Sequence, residues 1–426
     1  MLEINLLRKE KERVLTGLRK RNFKSDELEI IDRILEKDDN RKYLKTNLDK
    51  IRADLNKKSK DIGVLFKQGD PKSAGDLRES VNIMKGEIKR LEESLRLVEN
   101  DIEIALLNVP NIPHELVRAG KGDQDNEIYK DWQAQIPDPG NDALPHWELA
   151  EKFGMIDFKL GAKITGSGFT LFRNGGALIQ RSLINFFLDE ARRAGYEEIG
   201  PPLLVNSDSA RATGQLPDKE GQMYFIEKDD LYLIPTSEVP LTNMFRETIL
   251  KKSDLPIKLT AYSPCFRREA GSYGSDVKGL NRVHQFDKVE IVRIEDPAVS
   301  YKALDEMLDH IEQLLVKLEL PYRILRLCGG DLGFTAALTY DFEVFAAAQK
   351  KWLEVSSVSN FETFQSNRMD LRLRDGKQKT VLPHTLNGSA LALARIIAAL
   401  MENNQSAEGI RIPNALQPYT GLEIIN

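Results

Sequence analysis

The sequence predicts an α+β chain of two unlike parts: an antiparallel helical hairpin, then a domain that mixes helices and strands. Three observations predict it. Hydrophobic residues in the first quarter recur at heptad spacing. Charge divides unevenly: residues 1–110 hold 25 Lys+Arg and 22 Asp+Glu, net +3, and the remainder holds 36 and 44, net −8. After a stretch containing Pro110 and Pro113, the helical pattern gives way to short alternating strand-like runs.

Within the hairpin, Leu77, Val81, Met84, Ile88, Leu91, Leu95, Val98, Ile102 and Ala105 alternate steps of four and three without interruption. Upstream, Leu48, Ile51, Leu55, Lys58, Ile62 and Leu65 keep the same rhythm, and Leu28, Ile31 and Leu35 extend it, with a register shift near Leu44. Heptads often mark a dimeric coiled coil. Here residues 67–76, KQGDPKSAGD, place helix breakers between the runs, which favours one chain folding back on itself. Helices of about 40 residues give an arm on the order of 60 Å long. Residues 41–60 carry Arg41, Lys42, Lys45, Lys50, Arg52, Lys57, Lys58 and Lys60 against Asp49 and Asp54. Such a run is either a solvated face or a reader of phosphate backbone, with too few aromatics for base stacking.

Other functions are excluded or disfavoured. No apolar run approaches the ~18 residues of a membrane span. The N-terminus lacks the pattern of a secretory signal, so a cytoplasmic location is expected. Two cysteines, Cys265 and Cys328, are too few for a disulfide framework or a cysteine zinc site. Neither a dinucleotide-binding glycine motif nor a P-loop is present.

Three segments of the body carry chemistry. Residues 175–206 read as a helix with an apolar stripe, Leu183, Phe187, Ala191 and Ala194, and a second face at Ile179 and Phe186. Gly195 then caps it before a strand ending at Pro201–Pro202. This is either an ordinary core helix or one packing on its own subunit and a second. Residues 259–268 and 283–293 read as strands flanking a Gly/Ser-rich loop. Alternation puts His284, Phe286, Lys288 and Glu290 on one face, opposite Val283, Gln285, Asp287 and Val289. That hairpin is either solvated or a face presenting Arg267 and Glu269 to a ligand. Residues 384–404 predict a helix after Asn387–Gly388–Ser389, apolar on every face except at Arg395. Its guanidinium needs an anion, from an internal salt bridge or from a ligand phosphate.

The segment 175–206, the pair FRREAG and RVHQFDKVE, and the run NGSALALAR resemble, in order and spacing, motifs 1, 2 and 3 of the class II aminoacyl-tRNA synthetases. IPTSEVP (234–240), LEVSSVSNFETFQSNR (353–368) and the helical hairpin are similar to features of the seryl-tRNA synthetase family. Arg268 stands where that family often has a small residue, and Val358 where it often has cysteine. The resemblance implies a tRNA-binding arm over 1–106 with its tip near 67–76, a linker over 107–120, and a catalytic domain on an antiparallel sheet over 121–426. It implies activation of L-serine by ATP with Mg²⁺ and without zinc, and transfer to the 3′ end of tRNA(Ser), and also of tRNA(Sec). A homodimer through 175–206 is implied too.

The site residues follow from the same resemblance. Arg267 should hold the α-phosphate and the serine carboxylate, and with Arg395 it forms the catalytic pair. Glu269 should meet the adenine amino group and the Val283 backbone the base edge. Phe286 and Arg395 should sandwich the base, with Arg395 or Arg282 on the outer phosphates. Glu354 and Ser357 should hold Mg²⁺, and Arg268, Val355 and Ser356 complete the ATP set. Glu238 and Glu290 should meet the serine hydroxyl and ammonium, helped by Thr236, Ser237, Asn387 and Ser389. The basic residues of 41–60 should receive the tRNA. The alternatives are another class II amino-acid-activating enzyme, or a non-catalytic coiled-coil scaffold with a synthetase-like body.

Overall fold

The computed structural model describes residues 1–140, 142–218, 220–269, 278–375 and 379–426. The Gly/Ser-rich stretch 270–277, which includes Ala270 and Gly271 of FRREAG, lies outside the described residues. The chain divides into two compact units: Leu2–Arg19 with Phe23–Pro110, and Asn111–Asn426 with Met1 and Lys20–Asn22.

In the first unit, the helices Ser25–Gln68 and Pro71–Leu107 pair along the heptad seam. Each seam position from Leu77 to Ala105 is half-buried or buried, while most residues between them are exposed. The turn is tighter than the breakers suggest. Gly69 adopts φ 76° and closes the first helix, since only there must the backbone enter the left-handed region. Asp70 then caps the second helix by accepting from the Ser73 amide at 3.1 Å, and Pro71 occupies its first position. Pro71, Ser73 and Gly75 therefore belong to the helix, because proline lacks an amide that the first turn would leave unpaired anyway.

Near the base of this unit, Asp38 is fully buried on the seam. Arg8 and Arg41 each reach it at 2.7 Å and Lys42 at 3.0 Å. Burial pushes the Asp38 carboxyl upward, but the three cations outweigh it and hold its pKa at about 2.

The second unit is built on one eight-stranded sheet: β1 (Glu127–Lys130), β2 (Glu197–Glu198), β3 (Ile257–Phe266), β4 (Gln285–Glu295), β5 (Tyr322–Arg326), β6 (Leu338–Ala346), β7 (Lys351–Asn360) and β8 (His384–Ala392). The spatial order is β1-β5-β6-β7-β8-β4-β3-β2. Pairing is antiparallel except at the edge, where β2 runs parallel to β3. Helices Asn174–Arg193, Ser300–Lys317 and Leu393–Asn403 supply Leu183, Ile311 and Ile397 to a core shared with Val289, Ile291 and Phe342 of the sheet. Among the described residues no helix is long and apolar enough to cross a membrane.

Two expectations change. The segment after Asn387 is strand as far as Ala392, and the helix begins only at Leu393. Ser389 pairs with Glu290 of β4, and Asn387 with both Val292 and Ser359, so the ladder outcompetes the helical tendency of the alanines. In the helix Asn174–Arg193, Ile179 and Phe186 lie inside the chain's own core, Phe186 against Tyr419, so they are not free to face a second subunit. The large exposed apolar side chains of 175–206 are instead Leu203 and Leu204, and Ala194 of the expected stripe is exposed as well.

Candidate active site

The site grows from the middle of the sheet. β4 separates two environments by simple alternation: Val289 and Ile291 enter the core, while Phe286, Lys288 and Glu290 point to the other side. Arg267 follows directly after β3, and its amide is held by the His284 carbonyl at 2.9 Å. This returns its guanidinium over the Phe286 ring, 5.4 Å from the centroid. Gly168 fits here because its φ is +82° and a Cβ would strike the His284 ring at 2.2 Å.

Behind Arg267 lies a small, almost dry cluster. Glu238 and Glu290 are both buried, and the Asn387 amide bridges them, donating to Glu238 at 2.9 Å and to Glu290 at 3.2 Å. Gln365 donates to the other Glu238 oxygen at 2.6 Å. Lys288 ion-pairs with Glu290 at 2.5 Å and donates to the Thr236 hydroxyl at 2.9 Å. Burial, and after it the repulsion of Glu290, pushes the Glu238 carboxyl up to about 7. Burial raises Glu290 too, against the pull of Lys288. Two carboxylates, an ammonium and a guanidinium in one buried pocket suit a small zwitterion that carries a hydroxyl.

Beside this pocket the face is more open. Glu269 pairs with Arg282 at 3.2 Å. Arg395 donates to the carbonyls of Asn281 at 2.9 Å and Glu354 at 2.7 Å, with the Glu354 carboxylate 3.8 Å away. The anion sought for Arg395 is thus met only in part within the chain, and its side chain stays about a quarter exposed at 27%. Ser357 donates to Glu354 at 3.4 Å. Next to them, Asp341 has a buried oxygen with no hydrogen-bond partner, and burial together with Glu354 raises its carboxyl well above the usual range.

The structure therefore brings Arg267, Glu238, Glu290, Thr236 and Asn387 together, with Phe286, Glu269, Arg282, Glu354, Ser357 and Arg395 on the adjoining face. Others turn away. Arg268 stacks on Tyr224 at 5.0 Å and donates to the Met223 carbonyl. Ser237 is bonded to Ser263, Ser356 donates to the Ser389 carbonyl, and the Val283 and Val355 side chains sit in the core. Sequence reasoning gave no role to Lys288, Gln365 or Asp341. Lys288 had a signal, since it alternates in step with Phe286 and Glu290. Gln365 lay within the quoted segment 353–368 but was not singled out there, and Asp341 had no signal, because only strand pairing brings it to Ser357.

On the arm, three of the eight candidate basic residues are spent internally: Arg41 and Lys42 on Asp38, and Arg52 on Glu92 at 2.7 Å. Lys58 donates to Ser80 at 2.8 Å. Lys45, Lys50, Lys57 and Lys60 are exposed and make no ion pair among the described residues.

Residues 1–113 match the family described as "Seryl-tRNA synthetase N-terminal domain", and residues 224–404 match "tRNA synthetase class II core domain (G, H, P, S and T)". A protein of Salinibacter ruber named serine--tRNA ligase is 49% identical over 423 residues, covering 99% of this chain and 98% of the relative. The chain belongs to the seryl-tRNA synthetase family. A serine--tRNA ligase of Prosthecochloris aestuarii is 45% identical, with 100% and 99% coverage. The crystal structure of seryl-tRNA synthetase from Pyrococcus horikoshii complexed with ATP superposes with a TM-score of 0.90 at 34% identity, over 100% of this chain and 99% of that one. A prolyl-tRNA synthetase of Giardia lamblia shares the fold over 65% of the chain, at 18% identity and a TM-score of 0.57.

Proposed function

We propose that the chain is a serine--tRNA ligase: it activates L-serine with ATP and transfers the seryl group to the 3′ end of tRNA(Ser), and of tRNA(Sec). The observation that carries this reading is the buried carboxylate pair Glu238 and Glu290, bridged by Asn387 and faced by Arg267, in a chain whose full-length relatives bear that name.

Arg267 takes the serine carboxylate and the α-phosphate, bringing nucleophile and phosphorus together. A carboxylate oxygen of serine attacks the α-phosphorus, the bond to the bridging oxygen breaks, and pyrophosphate leaves. The protein's part is positioning and charge neutralisation. A ribose hydroxyl of the tRNA terminus then attacks the seryl carbonyl and AMP leaves. Phe286 and Arg395 hold the adenine between them, Glu269 and the Val283 backbone read its edge, and Arg282 and Arg395 meet the outer phosphates. Val355 and Ser356 complete the wall through the backbone, and Arg268, held on Tyr224 and the Met223 carbonyl, stays out of it.

Glu290 and Glu238 receive the ammonium and the hydroxyl, with Thr236, Asn387 and Ser389 fixing their orientation, while Ser237 is held by Ser263 and stays apart. A methylene is worth only ~1–3 kcal/mol in such a pocket, so alanine is rejected chiefly by the polar groups it leaves unpaired. Among the described residues no cluster of three acidic, His or Cys side chains forms a metal cage. Glu354 and Ser357, beside the unpartnered oxygen of Asp341, nevertheless suit Mg²⁺, which takes few protein ligands and leans on substrate phosphates. When bound it supplies charge neutralisation for the phosphates.

The arm over 1–106 carries the tRNA on Lys45, Lys50, Lys57 and Lys60, with Arg41, Lys42, Arg52 and Lys58 adding to the field. Residues 107–120 link it to the catalytic domain over 121–426. The enzyme works as a cytoplasmic homodimer through 175–206, with Leu203 and Leu204 as its apolar contacts. The test is pyrophosphate exchange across the amino acids, then charging of total tRNA. Exchange with another amino acid in preference to serine, or no exchange at all, refutes the proposal.

A further inference from the structure

A buried polar chain runs from outside the pocket to its ATP face. His146 and Glu402 are both completely buried. The His146 amide and its Nδ1 meet one Glu402 oxygen, at 3.0 and 2.8 Å. The Leu280 amide donates to Nε2 at 2.8 Å, so Nε2 is an acceptor and Nδ1 carries the proton towards Glu402. The second Glu402 oxygen accepts from the amides of Ala348 and Gln349, both at 3.1 Å.

The Gln349 side chain relays the contact. Its Nε2 donates to Glu402 at 2.7 Å, and its Oε1 accepts from Asn281 at 2.8 Å. The Asn281 carbonyl in turn accepts from Arg395 Nε at 2.9 Å. Glu402 and Arg395 lie seven residues apart on one helix, two turns along the same face. Gly279, at φ +67°, lets the backbone lie against the imidazole, where a Cβ would come within 2.2 Å of Nε2.

We infer that His146, Glu402 and Gln349 are positioning residues for ATP: they dock the backbone at 279–281 and through Asn281 aim Arg395, thereby setting the place of Arg282 and Val283. None of them touches substrate in this arrangement. The inference rests on the proposed reading of Arg282, Val283 and Arg395 as ATP contacts. A buried hydrogen-bonded pair could serve stability alone. This one is saturated with donors on both oxygens, yet two of its outward links end on the segment and the arginine that face the nucleotide.

The test is serine-dependent pyrophosphate exchange with the full-length enzyme, measuring KM for ATP and for serine separately and checking each variant by thermal melting. Gln349→Met cuts the relay at a partly exposed side chain. Gly279→Ala pushes the backbone off the imidazole with the His146–Glu402 hydrogen bond intact. The relay is one or two hydrogen bonds, so each variant should raise the KM for ATP about tenfold while the KM for serine moves less than about twofold. His146→Asn, which can still donate to Glu402 but cannot accept from Leu280, should do the same. Unchanged KM for ATP in Gln349→Met and Gly279→Ala, with Arg395→Ala raising it, overturns the inference and leaves the proposed function standing. A parallel rise in both KM values with a lowered melting point overturns it in favour of a structural role. If Arg395→Ala itself leaves the KM for ATP unchanged, the ATP reading fails and takes the inference with it.

Discussion

Glu238→Gln should remove a loss of stability that the wild type suffers as pH rises through neutrality. In the wild type, burial and Glu290 lift the Glu238 carboxyl from 4.5 to about 7, so the folded state holds a proton that the unfolded chain has already released. A carboxyl raised in this way stabilises the fold fully below the unfolded pKa, and the contribution is lost as pH rises through the folded one. Between pH 5.5 and 8.5 the linkage amounts to roughly 1.5 pK units, or about 2 kcal/mol. A glutamine does not titrate. The stability difference between variant and wild type should therefore shift by about 2 kcal/mol in the variant's favour over that range, about 3 °C in melting temperature for a unit of this size. Serine should undo the shift in the wild type alone, because its bound polar groups favour the carboxylate, and a hundredfold excess over Kd adds about 2.7 kcal/mol. The measurement is urea or thermal unfolding of both proteins across the pH series, with and without serine. Parallel profiles without serine would show that Glu238 titrates as an ordinary surface acid, and the account of the pocket would be wrong.

Three other outcomes are expected. Glu290→Ala should cripple serine activation and also destabilise the fold by roughly 3–5 kcal/mol, since Lys288 is left buried without its carboxylate; normal exchange in this variant sinks the assignment. Deleting residues 27–104 should leave pyrophosphate exchange largely intact and abolish tRNA charging. In the full chain, tRNA binding should weaken steeply with salt, and replacing Lys45, Lys50, Lys57 and Lys60 by alanine should flatten that salt dependence by roughly three units of slope. Asp38→Asn should cost the arm about 2 kcal/mol at neutral pH, as the carboxyl held at about 2 is ionised and paired there. The wild-type contribution is present above the unfolded pKa and fades as pH falls through about 2, so the melting points should converge in strong acid.

The arm was the most legible part of the sequence. A seam of nine apolar residues at heptad spacing has few other solutions, and the burial pattern follows it residue by residue. Its turn falls inside the expected stretch 67–76 but is shorter, because Asp70 caps the second helix and Pro71 opens it. The catalytic strands were visible as alternation, and Phe286 and Glu290 were rightly placed on one face. Harder to see was how far β8 extends, because NGSALALA has helical composition and only its partners β4 and β7 hold it extended. Arg52 looked like a free cation because its partner Glu92 lies on the other helix and leaves no local trace, whereas the i,i+3 and i,i+4 spacing of Arg41 and Lys42 from Asp38 was legible and went unread. Gln365 lies 127 residues from the Glu238 it serves, and although its segment 353–368 stood out, nothing local singled out that side chain; Asp341 meets Ser357 only once β6 and β7 pair.

The alternation in β4 has a consequence for folding fidelity. Sliding its pairing by a single residue would turn Lys288 and Glu290 into the hydrocarbon layer and expose Val289 and Ile291 on the opposite side. With charges at stake the misregistered sheet is far costlier than an all-apolar strand would make it. The same two side chains that suit the pocket to an amino acid thus act as a register lock: a molecule that completes its sheet has, by that fact, assembled its pocket correctly.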